Sequence, residues 1–336
     1  NRISRLEGID LGSTKLVEVR FSRKPSVLRD LVCLLQLSWI LLQVGPDACH
    51  SFSPKAGLLT AIAAWVVRTP VRVHTFTGQV WSVSSGLKRV LLIGCDLIVC
   101  LLATNLSADS ISQKRFLEVH LGRFGRNISV CGNGSLAGLD TRRFFPDEAI
   151  RNGFRKKYGL RNEVVFGFLG RLNSDKGIET MIDAFRDIPI EFGSKAMIIA
   201  GPDDGFSWDG LAVPVSCKVV KRMVEPEAFF NGIDVLVLMS KREGFGSVVI
   251  EAAGCRCPAI VSDIYGLSDS VVDGITGIVC PVGDTKELSL KMQLMFDSSL
   301  RKRLGDSALM RAKQYYDSDW LIGRQVEYLV TALTKG

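Results

Sequence analysis

The sequence predicts an α/β protein built from two doubly wound, parallel-sheet, Rossmann-like domains. Three observations carry that expectation. Short apolar runs that read as buried strands alternate with helical stretches along the whole chain, without internal repeats or low-complexity segments, and such alternation builds parallel sheets. At 336 residues and 47% hydrophobic the chain can bury large cores and is long for a single domain. A stretch containing Gly, Asp and Pro, from Gly134 to Pro146, divides the strands into two sets, which places a first domain at 1–143, a second at 144–318 and a closing helix at 319–336.

In the first set, strands are expected near 16–20, 47–51, 70–75, 105–109 and 128–131, with helices near 27–44, 55–68, 84–101 and 110–119. A helix at 147–158 leads into the second set, with strands near 164–169, 196–200, 217–220, 234–238, 258–261 and 277–280. After Val164–Leu169 comes a helix that carries Ile178, Met181, Ile182 and Phe185 on one face, at spacings of three and four. The run Asp234–Ser240 reads as a buried parallel strand, followed by two glycines and a helix from about Ser247 to Gly254. Trp320 to Leu333 reads as an amphipathic helix.

Nine cysteines show neither a CxxC nor a metal-ligand spacing, and most lie in apolar runs, as for Cys33, Cys95, Cys100 and Cys280. Packing in a reducing compartment fits them better than a disulfide framework or zinc. Charge is uneven: residues 1–143 hold 18 Lys+Arg against 9 Asp+Glu (+9), residues 144–336 hold 24 against 26 (−2), and the two sum to the overall +7. The basic pairs are scattered without an aromatic stacking platform, which argues against nucleic acid. The basic half also holds three apolar stretches, Leu31 to Val44, Ala56 to Val67 and Val90 to Ala103, each shorter than a bilayer span. They read as buried helices or, with the basic pairs, as a surface lying on an anionic membrane.

Two windows carry the chemistry. Glu243 and Glu251 lie eight positions apart, one on a strand-to-helix loop and one on the helix, around Gly244, Phe245, Gly246 and Ser247. The backbone N–H groups of that helix start attract phosphate. Alone, the pair reads equally well as two solvated glutamates. In the loop after Val164–Leu169, Arg171 and Lys176 flank a second helix start, at the end of a strand where open α/β sheets bind ligands. Alone they read as surface charges; beside the glutamates they read as a site for a diphosphate whose charge grows as a bond breaks. His74 ends a strand before a Thr/Gly loop and is a candidate for chemistry, His50 after a short strand reads equally as a site histidine or as a packing or supporting one, and His120 is a surface group. Gly132–Gly138 has the spacing GxGxxxG with no apolar helix after it, and no GxxxxGK[ST] is present, so neither a dehydrogenase nor a P-loop NTPase is supported.

Gly170-Arg171-Leu172 with Lys176-Gly177, the Glu243/Glu251 pair, Asp263 to Asp269, and Asp273 to Asp284 together resemble the family-4 retaining glycosyltransferases of the GT-B fold. Pro54 to Gly57 and His74 to Trp81 resemble the branch that builds bacterial surface polysaccharides. The likeness spans about residues 16 to 320 and implies two domains facing a cleft, the first lacking its opening βα units, with the helix at Trp320 to Leu333 packing back on that first domain. It implies that Arg171 and Lys176 bind the diphosphate of a nucleotide-sugar donor, UDP-linked by expectation. Glu251 would hold the ribose, Glu243 the transferred sugar with the Gly244–Ser247 backbone around it, and His74 would face that sugar across the cleft. It further implies no cofactor and no metal, a saccharide or polyprenyl-diphosphate-linked acceptor, and a cytoplasmic site on the inner face of the plasma membrane. A nucleotide-sugar epimerase of the same fold, or a non-catalytic nucleotide-sugar-binding protein, are the alternatives. Three positions depart from the family pattern: Met239 for a Pro, Phe52 for a His, and Arg256 where a helix-ending Gly is common, so that Arg256 is expected to be strained if left-handed.

Overall fold

The computed structural model describes residues 14–21, 26–223 and 225–335. After helix α1 (Val27–Val44), a four-stranded parallel sheet runs in the order β1 (Ala48–Phe52), β2 (Val71–Phe76), β3 (Asn105–Ala108), β4 (Ile128–Val130). Between these strands lie α2 (Pro54–Val66), α3 (Gly86–Leu102) and α4 (Ile111–Leu121). Side chains of β2 alternate between two faces, as pleating requires. Val71 and Val73 pack with Tyr328, Leu329 and Ala332 of the last helix, α12 (Ser318–Lys335). Phe76 packs with Ala61 of α2 and Val99 of α3. The Tyr328 hydroxyl donates to the Leu106 carbonyl at 3.3 Å, which fixes α12 against this sheet.

The second sheet is also parallel, in the order β10 (Gly277–Cys280), β9 (Ala259–Ser262), β8 (Val235–Leu238), β5 (Val164–Leu169), β6 (Lys195–Ala200), β7 (Cys217–Val220). It is reached through α5 (Glu148–Lys157), which is anchored by charge: Arg151 and Arg155 donate to the two carboxylate oxygens of Asp234 at 2.6 and 3.2 Å. The helices that follow are α6 (Ile178–Arg186), α7 (Pro226–Gly232), α8 (Ser247–Gly254), α9 (Leu267–Ser270), α10 (Thr285–Leu294) and α11 (Ser298–Tyr315). Ile178, Met181, Ile182 and Phe185 are all fully buried, as their spacing predicts. From β5 the chain winds outward through β6 and β7, then returns at β8 and winds the other way. That switch opens a crevice between the loops after β5 and β8.

Three expectations need correction. Residues 15–20 are not a strand; among the described residues no ladder partner lies beside them, and Leu16 and Val17 are exposed. An extended segment without a partner leaves its backbone polar groups to water. The reading of α1 as a buried helix also fails. It is 18 residues long with mean hydropathy 1.6, its window is only 6% buried, and Leu28, Leu31, Leu35 and Trp39 are exposed. Taken over its whole length from Val27, and not only over the apolar stretch from Leu31, α1 also reaches the length and apolarity of a membrane-crossing helix, the one such helix among the described residues.

Candidate active site

The crevice is built from three loops at the C-terminal edge of the second sheet. In the loop after β5, a single turn at Ser174–Lys176 ends on Gly177, whose φ is +65°. A Cβ there would lie 2.2 Å from the Met239 carbonyl, so glycine is required for this loop to seat against the end of β8. Lys241 N–H donates to the Asp175 carbonyl at 2.7 Å, and Arg242 donates to the Asp175 carboxylate at 3.1 Å, closing the same joint. Lys176 thereby reaches across the switch point and donates from Nζ to Glu243 Oε1. Glu243 also accepts from Ser240 Oγ at 2.9 Å. Arg171 lies on the other side of the loop, half exposed, and pairs with Asp204 after β6 at 2.9 Å.

The start of α8 completes the crevice. Gly246 caps it in the left-handed region with φ +86°, and no side chain occupies the cap. Val249 N–H donates back to the Gly246 carbonyl at 2.9 Å, which leaves the first-turn N–H groups of Ser247 and Val248 to a ligand or water. The Phe245 side chain points the other way, 1% exposed, with its ring 5.1 Å from that of Tyr316, so only its backbone belongs to the loop. Glu251 lies one turn along α8; burial pushes its pKa up to about 7, Glu227 adds to the rise and Arg143 opposes it. A carboxyl that costs this much to charge suits a group that accepts hydroxyls in a desolvated pocket.

The first domain closes against this loop at backbone distance. A Cβ on Gly78 would lie 3.0 Å from Gly244 N, and one on Gly244 would lie 2.8 Å from the backbone of Thr77 and from Asp109 Oδ2. The β9–α9 loop closes the other side, since a Cβ on Gly266 would lie 2.6 Å from Gly244 O. It is fastened to the first domain by several bonds. Ser112 N–H and Oγ donate to Asp269 Oδ2 at 2.7 and 2.9 Å, and Gly266 N–H donates to Ser112 Oγ at 2.7 Å. Gln79 N–H donates to the Tyr265 hydroxyl at 3.1 Å, and the Tyr265 ring stacks on Phe116 at 4.4 Å. Asp269 thus supplies a carboxylate to the N-terminus of α4 from the opposite domain.

Lys176, Glu243, Gly244, Gly246 and Ser247 therefore share one crevice, Arg171 stands at its rim, and Glu251 faces Arg143 and Glu227 farther along α8. His74 does not reach it. It is 2% exposed, accepts or donates with Ser51 Oγ at 2.9 Å, and packs so closely on Gly57 that a Cβ there would lie 2.3 Å from Cε1. Burial, with His50 nearby, lowers its pKa to about 4. The cause is the period of the strand: His74 points to the α2 face, while the chain turns into the cleft only at Thr77 and Gly78. Thr77, Asp109, Ser112, Tyr265 and Asp269 were not singled out as site residues from the sequence. The runs that hold Thr77, Tyr265 and Asp269 were recognised, but the choice among their residues depended on contacts between domains.

Comparison with known proteins agrees with this geometry. The family described as "Glycosyl transferases group 1" matches residues 151–310, which contain the crevice loops. The capsular polysaccharide biosynthesis glycosyltransferase CapM of Staphylococcus aureus is 30% identical over 327 residues, covering 94% of this chain and 85% of that protein. An Escherichia coli protein named UDP-Gal:alpha-D-GlcNAc-diphosphoundecaprenol alpha-1,3-galactosyltransferase is 28% identical over 276 residues, covering 78% of this chain and 69% of its own. Among solved structures, Anabaena HepE in complex with UDP and glucose shares the fold with a TM-score of 0.78 at 18% identity, covering 93% of this chain and 85% of that one. The arrangement of two parallel α/β domains about a cleft is that of GT-B glycosyltransferases. With two loops meeting across the switch point of the second sheet, and a relative matched along nearly its whole length, the chain belongs to the group 1 glycosyl transferases.

Proposed function

We propose that this protein transfers a sugar from a UDP-linked donor to a saccharide carried on a polyprenyl diphosphate, with retention at the anomeric carbon and without a metal, in the assembly of a surface polysaccharide. The observation that carries the reading is the Lys176–Glu243 pair beside the start of α8, which no side chain caps. A diphosphate entering there meets a cation and a helix N-terminus, the two groups that stabilise a departing diphosphate. Lys176 and Arg171 hold the diphosphate, Glu243 accepts hydroxyls of the transferred sugar, and Glu251 those of the ribose. The bond from the anomeric carbon to the diphosphate oxygen breaks, and its electron pair leaves with the diphosphate. The acceptor oxygen bonds to the same face, and its proton passes to the departing oxygen. The names of the Staphylococcus and Escherichia relatives favour this substrate class.

The reading places the enzyme against the anionic inner face of the plasma membrane. Support comes from α1, whose exposed Leu28, Leu31, Leu35 and Trp39 lie in the half of the chain that carries +9 (18 Lys+Arg less 9 Asp+Glu over residues 1–143).

The donor is tested by thermal unfolding with UDP-, GDP- and ADP-sugars. A UDP-sugar at a hundredfold excess over its Kd should stabilise the fold by about 2.7 kcal/mol. No shift with any of the three removes the proposal.

A further inference from the structure

We infer that Asp109 holds the hydroxyl of the incoming acceptor saccharide, and so helps to decide which acceptor is used; the inference rests on the transferase reading above. Asp109 follows β3 directly, at the C-terminal edge of the first sheet. One carboxylate oxygen faces the donor loop so closely that a Cβ on Gly244 would lie 2.8 Å from it. The other, Oδ1, is buried and has no hydrogen-bond partner among the described residues. Leaving a buried carboxylate oxygen unpaired costs more than an ordinary hydrogen bond returns, so such a group needs a reason.

The surroundings supply one. Asp109 lines a cavity of about 120 Å³ between the first sheet and α12. The wall is a row of hydroxyls: Thr75 pairs in register with Ser107, and Ser107 with Ser129, on the same face of neighbouring strands. His50 Nε2 meets Thr75 Oγ1 at 2.7 Å, and Thr75 Oγ1 meets Ser107 Oγ at 2.5 Å. His50, Thr75 and Ser107 satisfy one another and Ser129 Oγ donates to the Leu106 carbonyl at 3.0 Å, whereas Asp109 stands at the end of the row with an oxygen unused. Beyond it, across Gly244, lies the Lys176–Glu243 pair. Asp109 and the Thr77 backbone are thus the polar groups of the first domain that approach the donor loop at Gly244, and of the two Asp109 carries the oxygen without a partner. Burial and the nearby Glu243 push its pKa up to about 7 against the opposing pull of the Leu136 backbone N–H, and a hydroxyl donor would offset the rise further. A saccharide hydroxyl offers the single donor that this oxygen lacks, and the hydroxyl-lined cavity beside it suits the rest of a sugar ring.

The test compares the full chain with Asp109→Asn and Asp109→Ser, measuring UDP affinity, thermal midpoint, and transfer from the UDP-sugar that binds. The acceptor probes are farnesyl-diphosphate-linked N-acetylglucosamine, N-acetylgalactosamine and glucose. The inference expects acceptor KM to rise at least tenfold in both variants, with UDP affinity kept and the thermal midpoint not lowered. It is overturned if acceptor KM stays within twofold of wild type, if UDP affinity falls in step with transfer, or if neither variant folds, since each outcome makes Asp109 a structural or donor-side group. Wild-type protein that binds a UDP-sugar but transfers to none of the probes overturns the inference while leaving the donor site standing. Wild-type protein that binds no UDP-sugar overturns the transferase reading itself.

Discussion

Lys176 spans the switch point of the second sheet to reach a single carboxylate, and both side chains are largely withdrawn from water. Replacing it by an apolar isostere removes the charge proposed to meet a departing diphosphate and leaves Glu243, among the described residues, with only Ser240. Lys176→Met is expected to slow transfer on the order of 10²–10³-fold, the effect of deleting one preorganised stabiliser of developing charge. A steady-state kcat within threefold of wild type would remove Lys176 from the mechanism. His74 makes the opposite kind of prediction, one about stability. Its folded pKa, about 4, lies below the ordinary 6.5, so between these values the unfolded chain binds more protons than the folded one. Stability from this group is present above pH 6.5 and drains away as pH falls to 4, on the order of 2–3 kcal/mol. Asp96, Asp109 and Glu251 have raised pKa values and work in the reverse sense, so the comparison must be made against His74→Gln. Urea titrations at pH 7 and pH 4.5 should show wild type losing more stability than the variant; parallel losses would show that His74 is not buried neutral.

Among the elements, α8 and α4 show how local rules yield to contacts. Helix α8 ends at Gly254, and two residues later Arg256 takes φ +61°, the left-handed value that makes Gly common at such a site. Its ion pair with Asp306 at 2.9 Å is half exposed and offsets little of that strain. Arg256→Gly is expected to stabilise the protein by about 0.5–1 kcal/mol in urea unfolding, and a destabilised variant would show that the ion pair outweighs the strain. Helix α4 has its own N-cap in Ser110, which accepts from Gln113 N–H at 3.2 Å. Asp269 adds a carboxylate from the other domain to the same helix end. That bond costs α4 nothing to form and holds the β9–α9 loop over Gly244, so its value lies in registering the two domains.

At the scale of the whole molecule, charge and apolar exposure fall on the same half. The second domain is close to neutral, while residues 1–143 carry the excess of Lys and Arg. Helix α1 packs on α2 and presents most of its apolar surface outward. A patch of that kind on a stable domain marks an interaction site. Flotation of the protein on vesicles should show binding to anionic lipid that weakens as salt rises, and much less binding to neutral lipid. Binding indifferent to lipid charge and to salt would rule out an electrostatic component and leave α1 alone to account for it.

How much of this was legible before the structure depended on whether the signal was local. Strands β1 to β10 were placed to within a residue or two, because periodicity and turn residues act within a few positions, whereas helices α7, α9, α10 and α11 were not placed at all. The loops after β5 and β8 could be marked as a site, since a parallel sheet must bring the C-terminal ends of neighbouring strands to one edge. The misplaced catalytic histidine shows the limit. His74 and Thr77 stand three residues apart in one recognised run, and only the pairing of β2 with β1 and β3 decides which faces α2 and which faces the cleft. Residues 15–20 failed for a related reason: their pattern suits a strand, but a strand exists only where another backbone lies beside it. By itself the sequence determined the family, the two parallel sheets and the edge of the second on which the candidate site lies. The tertiary structure alone decided what meets that edge, Gly78, Asp109, Tyr265 and Asp269, because contacts between residues up to 186 positions apart follow from the docking of two domains and leave no periodic trace in the chain.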